Sequence, residues 1–451
     1  MSTKSKSLVL IDRVPLYFAF LLAATVQGPI AFAQDPSPTY TVSGLNISPG
    51  GAPGELNFAW LSPTSAGTPQ VQIAAMPTQD AAGFSRAAAR TFTGTSRQVQ
   101  ATQSRKDDER MALDLYSDKV TVSGLSTSTA YVYRVGDGKR WSESHPVRTR
   151  DPADFGFLIV GDPQLGAKSS GTKTLASDRE GWEDTVTKAT DLYPTASFMI
   201  SLGDEVNDFN KLSTQDSEYE AYFSPPQLLS LPVATLDGNH DIAMGEYYGY
   251  HYNQPNLSPL YGAAYGNDGD YWFVYGDAIF LMLNSNTQSV ATHDLFIREA
   301  LSKNPSAKWR IVCFHHSIYS EAANSEDPDI LDRRMNYPAV FERYGIDIVL
   351  QGHNHSYTRS FPMAKGKPVG TDPASDTVVN PEGIVYFTFN SGSGNKFNDW
   401  RSETPEIFSA RRWQGYVASF GYMKLSGDIA TVSVYRTDNM SLIDKFSIIK
   451  R

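Results

Sequence analysis

Cysteine is almost absent from this sequence of 451 residues, in which Cys313 is the single thiol. One thiol cannot form a disulfide within its own chain, so no internal cross-link can stabilise the fold. Cys313 lies in an apolar, strand-like run at residues 309–314, which predicts a buried structural thiol. We therefore expect no catalysis by a histidine–cysteine pair.

The sequence also lacks an excess of basic residues. Lysine and arginine number 39 against 49 aspartates and glutamates, which gives a formal net charge of -10. Because proteins that bind nucleic acids generally carry a basic surface, this composition argues against general nucleic-acid binding. It does not exclude a small anionic substrate, since bound metal ions can supply local positive charge.

Long apolar runs are missing after the first 33 residues. Lys4, Lys6 and Arg13 precede an apolar run at residues 14–26, and residues 31–33 (Ala-Phe-Ala) have the small-x-small form of a cleavage site. This pattern predicts a secretory signal peptide over residues 1–33, with an apolar part too short for a membrane span. An uncleaved N-terminal anchor is the alternative. We therefore expect a secreted or periplasmic protein with no stable membrane span after cleavage.

The chain is too long for one ordinary domain, and its pattern changes near residue 150. Residues 38–150 contain short β-type runs with turn residues between them, which predicts an all-β sandwich. Within it, the polar and alanine-rich tract at residues 81–110 is interpreted as a long variable loop.

Residues 153–451 form the second predicted domain, in which apolar runs alternate with helical patterns as in a layered α/β domain. Strands are predicted at residues 155–160, 197–202, 232–236, 278–283, 310–314 and 346–350. Helices are predicted at residues 180–192, 292–302 and 338–344, with Pro338 in the first turn of the last one.

Polar side chains follow five of these strands. They are Gly161-Asp162-Pro163-Gln164, Gly203-Asp204-Glu205, Gly238-Asn239-His240-Asp241, His315-His316 and Gly352-His353-Asn354-His355. Each run alone has an ordinary structural explanation, because Gly-Asp is a common turn and a lone histidine is usually satisfied by a hydrogen bond. Open α/β sheets, however, place active sites at the carboxyl ends of their strands. Five such runs in succession therefore favour one divalent metal centre.

The order of these motifs resembles that of the calcineurin-like metallophosphoesterase superfamily, from about residue 155 onward. With the β-sandwich in front, the chain is similar to bacterial relatives of the purple acid phosphatases. Gly124, Leu125, Tyr131 and Tyr133 also resemble the end of a fibronectin type III module. The resemblance implies an α/β fold class, a four-layer α/β/β/α sandwich that holds two metal ions and is preceded by the all-β sandwich domain.

The resemblance also implies a role for each polar residue. The first metal would be held by Asp162, Gln164, Asp204 and His355, and the second by Asp204, Asn239, His315 and His353, with Asp204 bridging the two. His316 remains an alternative to His315. A metal-bound hydroxide would attack the phosphate ester, and His240, oriented by Asp241, would protonate the leaving alkoxide.

Two positions depart from the family pattern. The purple enzymes carry a metal-binding tyrosine three residues after the bridging aspartate, where this chain has Asn207. Gln164 stands where many relatives have histidine, and it offers a neutral oxygen ligand. The identity of the two metals is therefore open among iron, manganese and zinc, as two divalent ions or as a mixed pair of iron and a divalent ion.

Two further groups of residues could contact a substrate. One group follows His240 closely and could stack on a ring, coat a pocket or form the packed side of a hairpin: Tyr247, Tyr248, Tyr250, His251 and Tyr252. The other lies on a predicted long loop and could hold a second phosphate or be ordinary surface arginines with neighbouring tryptophans: Trp400, Arg401, Arg411, Arg412 and Trp413.

Taken with the signal peptide, the motifs predict a secreted, binuclear-metal enzyme that hydrolyses small phosphate monoesters. A phosphodiesterase or phospholipase is the alternative enzyme, because the motifs position metals and a proton donor without setting the number of ester groups. A catalytically inert binding or adhesion protein is the alternative of another class. The complete set of ligand residues argues against it.

Asn207 leads to a prediction about colour. An asparagine amide cannot provide the phenolate-to-iron charge transfer of the purple enzymes, so purified protein should show no intense visible band even when loaded with iron. Loss of an anionic ligand should also make the first site accept a divalent ion more readily. Absorption spectra and elemental analysis test both points. A purple preparation with tightly held iron would show that another tyrosine reaches the site.

Overall fold

The structure is a computed structural model that describes residues 40–63, 67–76, 88–104, 106–107, 109–167, 174–242, 244, 247–260, 269–287, 289–370 and 372–451. The predicted signal peptide at residues 1–33 lies outside these ranges. Within them, no helix is long and apolar enough to cross a membrane.

The N-terminal part is a sandwich of two antiparallel four-stranded sheets. Its strands are β1 (Ser43–Pro49), β2 (Leu56–Ser62), β3 (Gln70–Ala75), β4 (Arg90–Thr93), β5 (Thr95–Ala101), β6 (Met111–Val122), β7 (Ala130–Gly136) and β8 (His145–Arg148). The strand orders are β1-β2-β6-β5 and β4-β3-β7-β8. Alternate residues of both sheets point inward and form one core around Phe58, Trp60 and Tyr133, as expected for strands with one buried face.

The predicted loop at residues 81–110 is wrong where the structure describes it. Two strands, β4 and β5, lie within this tract, and β5 pairs with the long strand β6 to form a hairpin. The sequence signal is weak because only Val99 and Ala101 of β5 are buried, while its other residues are exposed and polar. An edge strand with so few apolar residues has little periodicity to reveal it.

The second part contains sixteen strands, five α-helices and one short 3₁₀ helix (Pro226–Leu229) among the described residues. The strands are β9 (Asp154–Val160), β10 (Met199–Ser201), β11 (Val233–Thr235), β12 (Tyr271–Tyr275), β13 (Ala278–Leu283), β14 (Trp309–Phe314), β15 (Ile348–Gln351), β16 (Tyr357–Ser360), β17 (Met363–Ala364), β18 (Lys367–Pro368), β19 (Thr377–Val379), β20 (Val385–Thr388), β21 (Ser409–Trp413), β22 (Ser419–Ser426), β23 (Ile429–Arg436) and β24 (Leu442–Ile449). The helices are α1 (Leu175–Leu192), α2 (Leu212–Tyr222), α3 (Tyr247–His251), α4 (Val290–Lys303) and α5 (Pro328–Arg343).

Two seven-stranded sheets stack face to face, in the orders β11-β10-β9-β22-β23-β24-β19 and β12-β13-β14-β15-β20-β16-β21. Successive side chains of a strand point to opposite faces of its sheet, so they fill two different layers in turn. In β9, Phe157 and Ile159 point into the core between the sheets, whereas Leu158 and Val160 pack under α1 and α2. On the other sheet, α4 and α5 cover the outer face. The result is the expected α/β/β/α arrangement.

Cys313 is fully buried in the core between the sheets, and burial raises the pKa of its thiol. The predicted structural role of this residue therefore agrees with its surroundings.

Helix α5 begins about ten residues before its predicted start, and Pro338 lies in its interior. Pro328 occupies the first turn, where its missing N–H needs no partner. The charged run at residues 326–334 explains why the first half of the helix was not predicted. Few residues there are buried and one of them is Arg333, so the apolar period of a helix is weak.

Candidate metal and catalytic site

The predicted polar residues lie together where five parallel strands end. Ser201 of β10 pairs with Val160 of β9 and with Thr235 of β11, so the turns after these strands begin at the same level. On the second sheet, Phe314 of β14 pairs with Gln351 of β15 in the same way. The carboxyl ends of both sheets therefore face one common centre.

The backbone around this centre is strained at the ligand positions. Five non-glycine residues there have positive φ angles between 38° and 70°: Asp162, Gln164, Asp204, His353 and His355. Such angles are unfavourable for residues with a β-carbon and cluster at functional sites. They turn the side chains of these five residues inward at the strand ends.

Asp162, Asp204 and His315 form a buried group whose ligand atoms all lie within 4.8 Å of one another. His315 Nε2 is 3.3 Å from Asp204 Oδ2 and 4.0 Å from Asp162 Oδ1. His355 Nε2 is 3.6 Å from Asp162 Oδ1, and His353 Nδ1 is 3.2 Å from His315 Nε2. Two carboxylates and three imidazoles thus share one small volume.

Backbone carbonyls set the orientation of two of these imidazoles. A carbonyl oxygen can only accept, so His315 Nδ1 donates to Leu202 O at 2.8 Å and His355 Nδ1 donates to Lys396 O at 3.2 Å. Each ring therefore turns its Nε2 towards the carboxylates. Histidines that bind metals are commonly held in this way.

Several buried polar atoms at the centre have no hydrogen-bond partner among the described residues. They are Asp162 Oδ2, Gln164 Oε1, Asn239 Oδ1 and His355 Nε2. Leaving such an atom unpaired costs about 1–3 kcal/mol, and more where it is charged. All four atoms can act as acceptors. A cation would therefore satisfy them, whereas another hydrogen-bond acceptor would not. The donor set therefore fits metal ions.

Burial shifts the pKa values at the centre in both directions. It raises the pKa of Asp162 to about 8, an effect that His315 opposes and the neighbouring Asp204 increases. Burial also opposes the charged form of His315, but the two carboxylates outweigh it and raise the pKa of His315 to about 9. Burial lowers the pKa of His353 to about 3. The carboxylates therefore stabilise positive charge at His315.

His315 contacts both carboxylates, whereas the neighbouring His316 bonds elsewhere. His316 Nδ1 lies 2.8 Å from Ser285 Oγ, and burial holds the pKa of His316 well below its usual value. Between the two candidates, the geometry favours His315 as a ligand.

His240 is partly exposed at the edge of this centre. Its backbone N–H donates to Asp204 Oδ1 at 3.0 Å, and its ring Nδ1 donates to the carbonyl oxygen of Asn207 at 2.6 Å. The ring also makes an edge contact with Phe209, with centroids 5.0 Å apart. With Nδ1 committed to a carbonyl, Nε2 is the nitrogen that can exchange a proton with a ligand.

Asp241 does not orient the His240 ring, and the prediction that it does is wrong. Its carboxylate accepts from the backbone N–H groups of Gly238 at 2.7 Å, Glu205 at 3.1 Å and Val206 at 3.3 Å. It therefore ties the turn after β10 to the turn after β11. The carbonyl of Asn207 has the orienting role, because it accepts from His240 Nδ1 at 2.6 Å.

Sequence reasoning missed a sixth run of polar residues, which follows β20. Ser391 and Ser393 donate hydroxyl hydrogens to the carbonyls of Asp162 and Pro163, and Asn395 donates to the carbonyl of Gln164. The signal was present, since residues 390–395 (Asn-Ser-Gly-Ser-Gly-Asn) follow an apolar strand as the other motifs do. Asn324, which lies 3.3 Å from His353 Nε2, had no comparable signal.

The residues of the two groups considered for substrate contact are buried or paired with other residues of the protein. The aromatic residues after His240 are buried and form α3 and the residue after it, so the hairpin alternative is wrong. Arg412 contacts Glu321 Oε2 at 2.6 Å, Arg401 contacts Glu326 and Glu406, and Arg411 donates to a backbone carbonyl. Arg411 and Arg412 also lie in β21, not in a loop. A second phosphate would have to displace these partners.

Two protein families match successive parts of the chain. The calcineurin-like phosphoesterase family matches residues 155–357, and the purple acid phosphatase N-terminal domain family matches residues 42–149. Acid phosphatase type 7 of Homo sapiens is 22% identical over 339 residues, covering 69% of this chain and 71% of that protein. Its counterpart in Mus musculus is 21% identical over 439 residues, covering 91% and 90%.

The fold agrees with these matches. The solved structure of a purple acid phosphatase from yellow lupin (Lupinus luteus) seeds superimposes with a TM-score of 0.71 at 14% identity, covering 92% of this chain and 75% of that one. The families imply a dinuclear metal centre, for which Asp162, Asp204 and His315 form a candidate group. Residues 155–357 therefore belong to the calcineurin-like phosphoesterase family and residues 42–149 to the purple acid phosphatase N-terminal domain family, and with its acid phosphatase relatives the chain is a metal-dependent phosphoesterase.

Proposed function

We propose that the protein is a secreted or periplasmic enzyme that hydrolyses small phosphate monoesters with two metal ions and with His240 as general acid. The observation that carries this proposal is the set of four unpartnered buried acceptors next to a partly exposed histidine. The first feature suits cations, and the second suits a group that meets a substrate from solvent.

The donor atoms divide into two sets around Asp204. Asp162, Gln164 and His355 would hold one ion together with Asp204, and Asn239, His315 and His353 would hold the other. When bound, such a pair supplies Lewis-acid activation of the phosphoryl group and of the attacking water. The mixture of carboxylate, amide and imidazole ligands suits manganese, iron or zinc.

His240 is suited to protonate the leaving oxygen. Its Nδ1–H donates to the Asn207 carbonyl, and its backbone N–H donates to Asp204. These two bonds hold the ring in a set position relative to the proposed metal ligands. A proton on Nε2 can then pass to the alkoxide as the ester bond breaks. Asp241 acts as a positioning residue for the two turns, and it does not touch the reacting atoms.

Two assays on purified protein test the proposal. We expect p-nitrophenyl phosphate to be hydrolysed faster than bis-p-nitrophenyl phosphate when manganese, iron or zinc is added in turn. The reverse order would favour the phosphodiesterase or phospholipase. Metal-replete protein that turns over neither ester would favour an inert binding protein. Detection of the chain outside the cytoplasm with Gln34 at its N-terminus would support the signal peptide.

Asp204→Asn should remove at least one metal ion and lower kcat by several orders of magnitude, because the carboxylate contributes to both proposed metal sites. Elemental analysis of the purified variant and its turnover of p-nitrophenyl phosphate measure the two effects. Asp184→Asn, the same change on the solvent-facing side of α1, is the matched control and should alter neither. Near-normal turnover with two metals bound would exclude Asp204 as the bridging ligand.

His240→Ala should retain both metals and slow esters with poor leaving groups far more than p-nitrophenyl esters, which need little protonation. General acid catalysis typically contributes 10²–10⁴-fold, so an alkyl phosphate should lose about that factor in kcat. Comparing kcat for an alkyl phosphate and for p-nitrophenyl phosphate measures the contrast. Equal losses on the two esters would assign His240 a different role.

A further inference from the structure

The N-terminal sandwich contacts the chain on both sides of His240. Its contacts with these parts of the chain come from the β5–β6 hairpin (Thr95–Ala101 and Met111–Val122), from described residues of the connection between the two strands, and from Asn46, Ser48 and Asn57. One contacted segment, residues 207–212, precedes His240, and the other, Met244 with residues 247–253, follows it. Neither segment supplies a proposed metal ligand.

The segment before His240 pairs with the hairpin connection through backbone atoms. Leu212 N–H donates to the Gln103 carbonyl at 3.1 Å, and Lys211 forms an antiparallel bridge with Ser104. At the other end of this segment, Asn207 presents the carbonyl that holds His240 Nδ1. The position of that carbonyl therefore depends on a stretch of chain that is docked on the other domain, as well as on Glu218, whose Oε2 accepts the N–H of Asn207 at 2.8 Å.

The segment after His240 is held through the carbonyl oxygens of α3. Lys119 Nζ donates to Gly249 O at 2.6 Å, Ser117 Oγ donates to Tyr250 O at 2.7 Å, and Asn46 Nδ2 donates to His251 O at 2.8 Å. The last carbonyls of any helix lack partners within the helix. In a helix of five residues they are most of its backbone acceptors, and side chains of the sandwich satisfy them.

Apolar side chains join the same three pieces into one cluster. Val99 and Ala101 of β5 are completely buried against Leu212, Met244 and Tyr250, which come from the two segments that flank His240. Closely packed side chains transmit small shifts, so a displacement of the hairpin would move both segments together.

We propose that the β5–β6 hairpin positions His240 for proton transfer, and that Lys119 and Ser117 are positioning residues for the reaction. This inference rests on the proposed role of His240 as general acid. It gives the N-terminal sandwich a part in catalysis through the orientation of one imidazole, while the metal ligands stay on the strand ends of the other domain.

The test uses the full chain with both metals, in the combined variant Lys119→Met and Ser117→Ala. Methionine keeps the apolar stem of Lys119 and removes its donor. We expect kcat for an alkyl phosphate to fall about ten-fold, and kcat for p-nitrophenyl phosphate to change less than about two-fold, because only the first ester needs its leaving group protonated. Metal content should not change. When Lys119→Arg, which keeps a cationic donor, replaces Lys119→Met in this variant, most of the lost kcat for the alkyl phosphate should return.

Lys139→Met is the matched control, because Lys139 is exposed on a turn of the same sandwich and the change in charge is the same. It should leave both esters unaffected. Ser117→Ala alone, which removes a single hydroxyl, serves as a milder variant if the combined one is unstable. It should show the same difference between the two esters, with a smaller loss of kcat for the alkyl phosphate.

A double-mutant cycle separates positioning from general stability. In a His240→Ala background the hairpin changes should have no further effect on the alkyl phosphate, because the group they position is gone. Equal losses on both esters, no loss on either, or a further loss in the His240→Ala background would overturn the inference. Wild-type protein without turnover of any phosphate ester would instead overturn the proposed function.

Discussion

The burial of two carboxylates, Asp162 and Asp204, is the constraint on which the rest of the site depends. A charge placed this deep in a protein costs several kcal/mol unless it is paired. The protein offsets part of this cost with His315 and with the backbone N–H groups of His353 and His240. What remains is a set of inward acceptors that suits cations. The glycine turns and the positive φ angles bring these atoms to one point.

Two other buried carboxylates organise the backbone around the centre. Asp241 accepts three N–H groups from two different turns, and Glu218 accepts the N–H groups of Asn207 and Asp208 at 2.8 and 2.7 Å. Asp241 has both of its oxygens engaged in this way, and Glu218 accepts both of its N–H groups on Oε2. The structure thus divides its acidic residues between proposed metal ligands and backbone supports, and the ring of the partly exposed His240 is oriented by the Asn207 carbonyl and by its edge contact with Phe209.

The two domains meet at the residues that surround His240. The sandwich supplies donors to a helix too short to satisfy its own carbonyls, and it extends the backbone pairing of the segment that contains Asn207. A sequence motif can report a ligand because the ligand follows its own strand directly. It cannot report a contact such as that of Lys119 with Gly249, which lie 130 residues apart.

The fold class and the groups that converge on the centre could be predicted from the sequence, because each of these residues directly follows an apolar strand and parallel strands bring their ends together. The roles of Asp241, of the arginines in and near β21 and of the aromatic run in α3 could not be predicted. A carboxylate bonds to whichever N–H groups approach it, and an arginine pairs with whichever acid lies beside it. Those approaches are decided by packing between distant parts of the chain. The local sequence therefore determined which groups reach the centre, and only the tertiary structure decided which partners orient them.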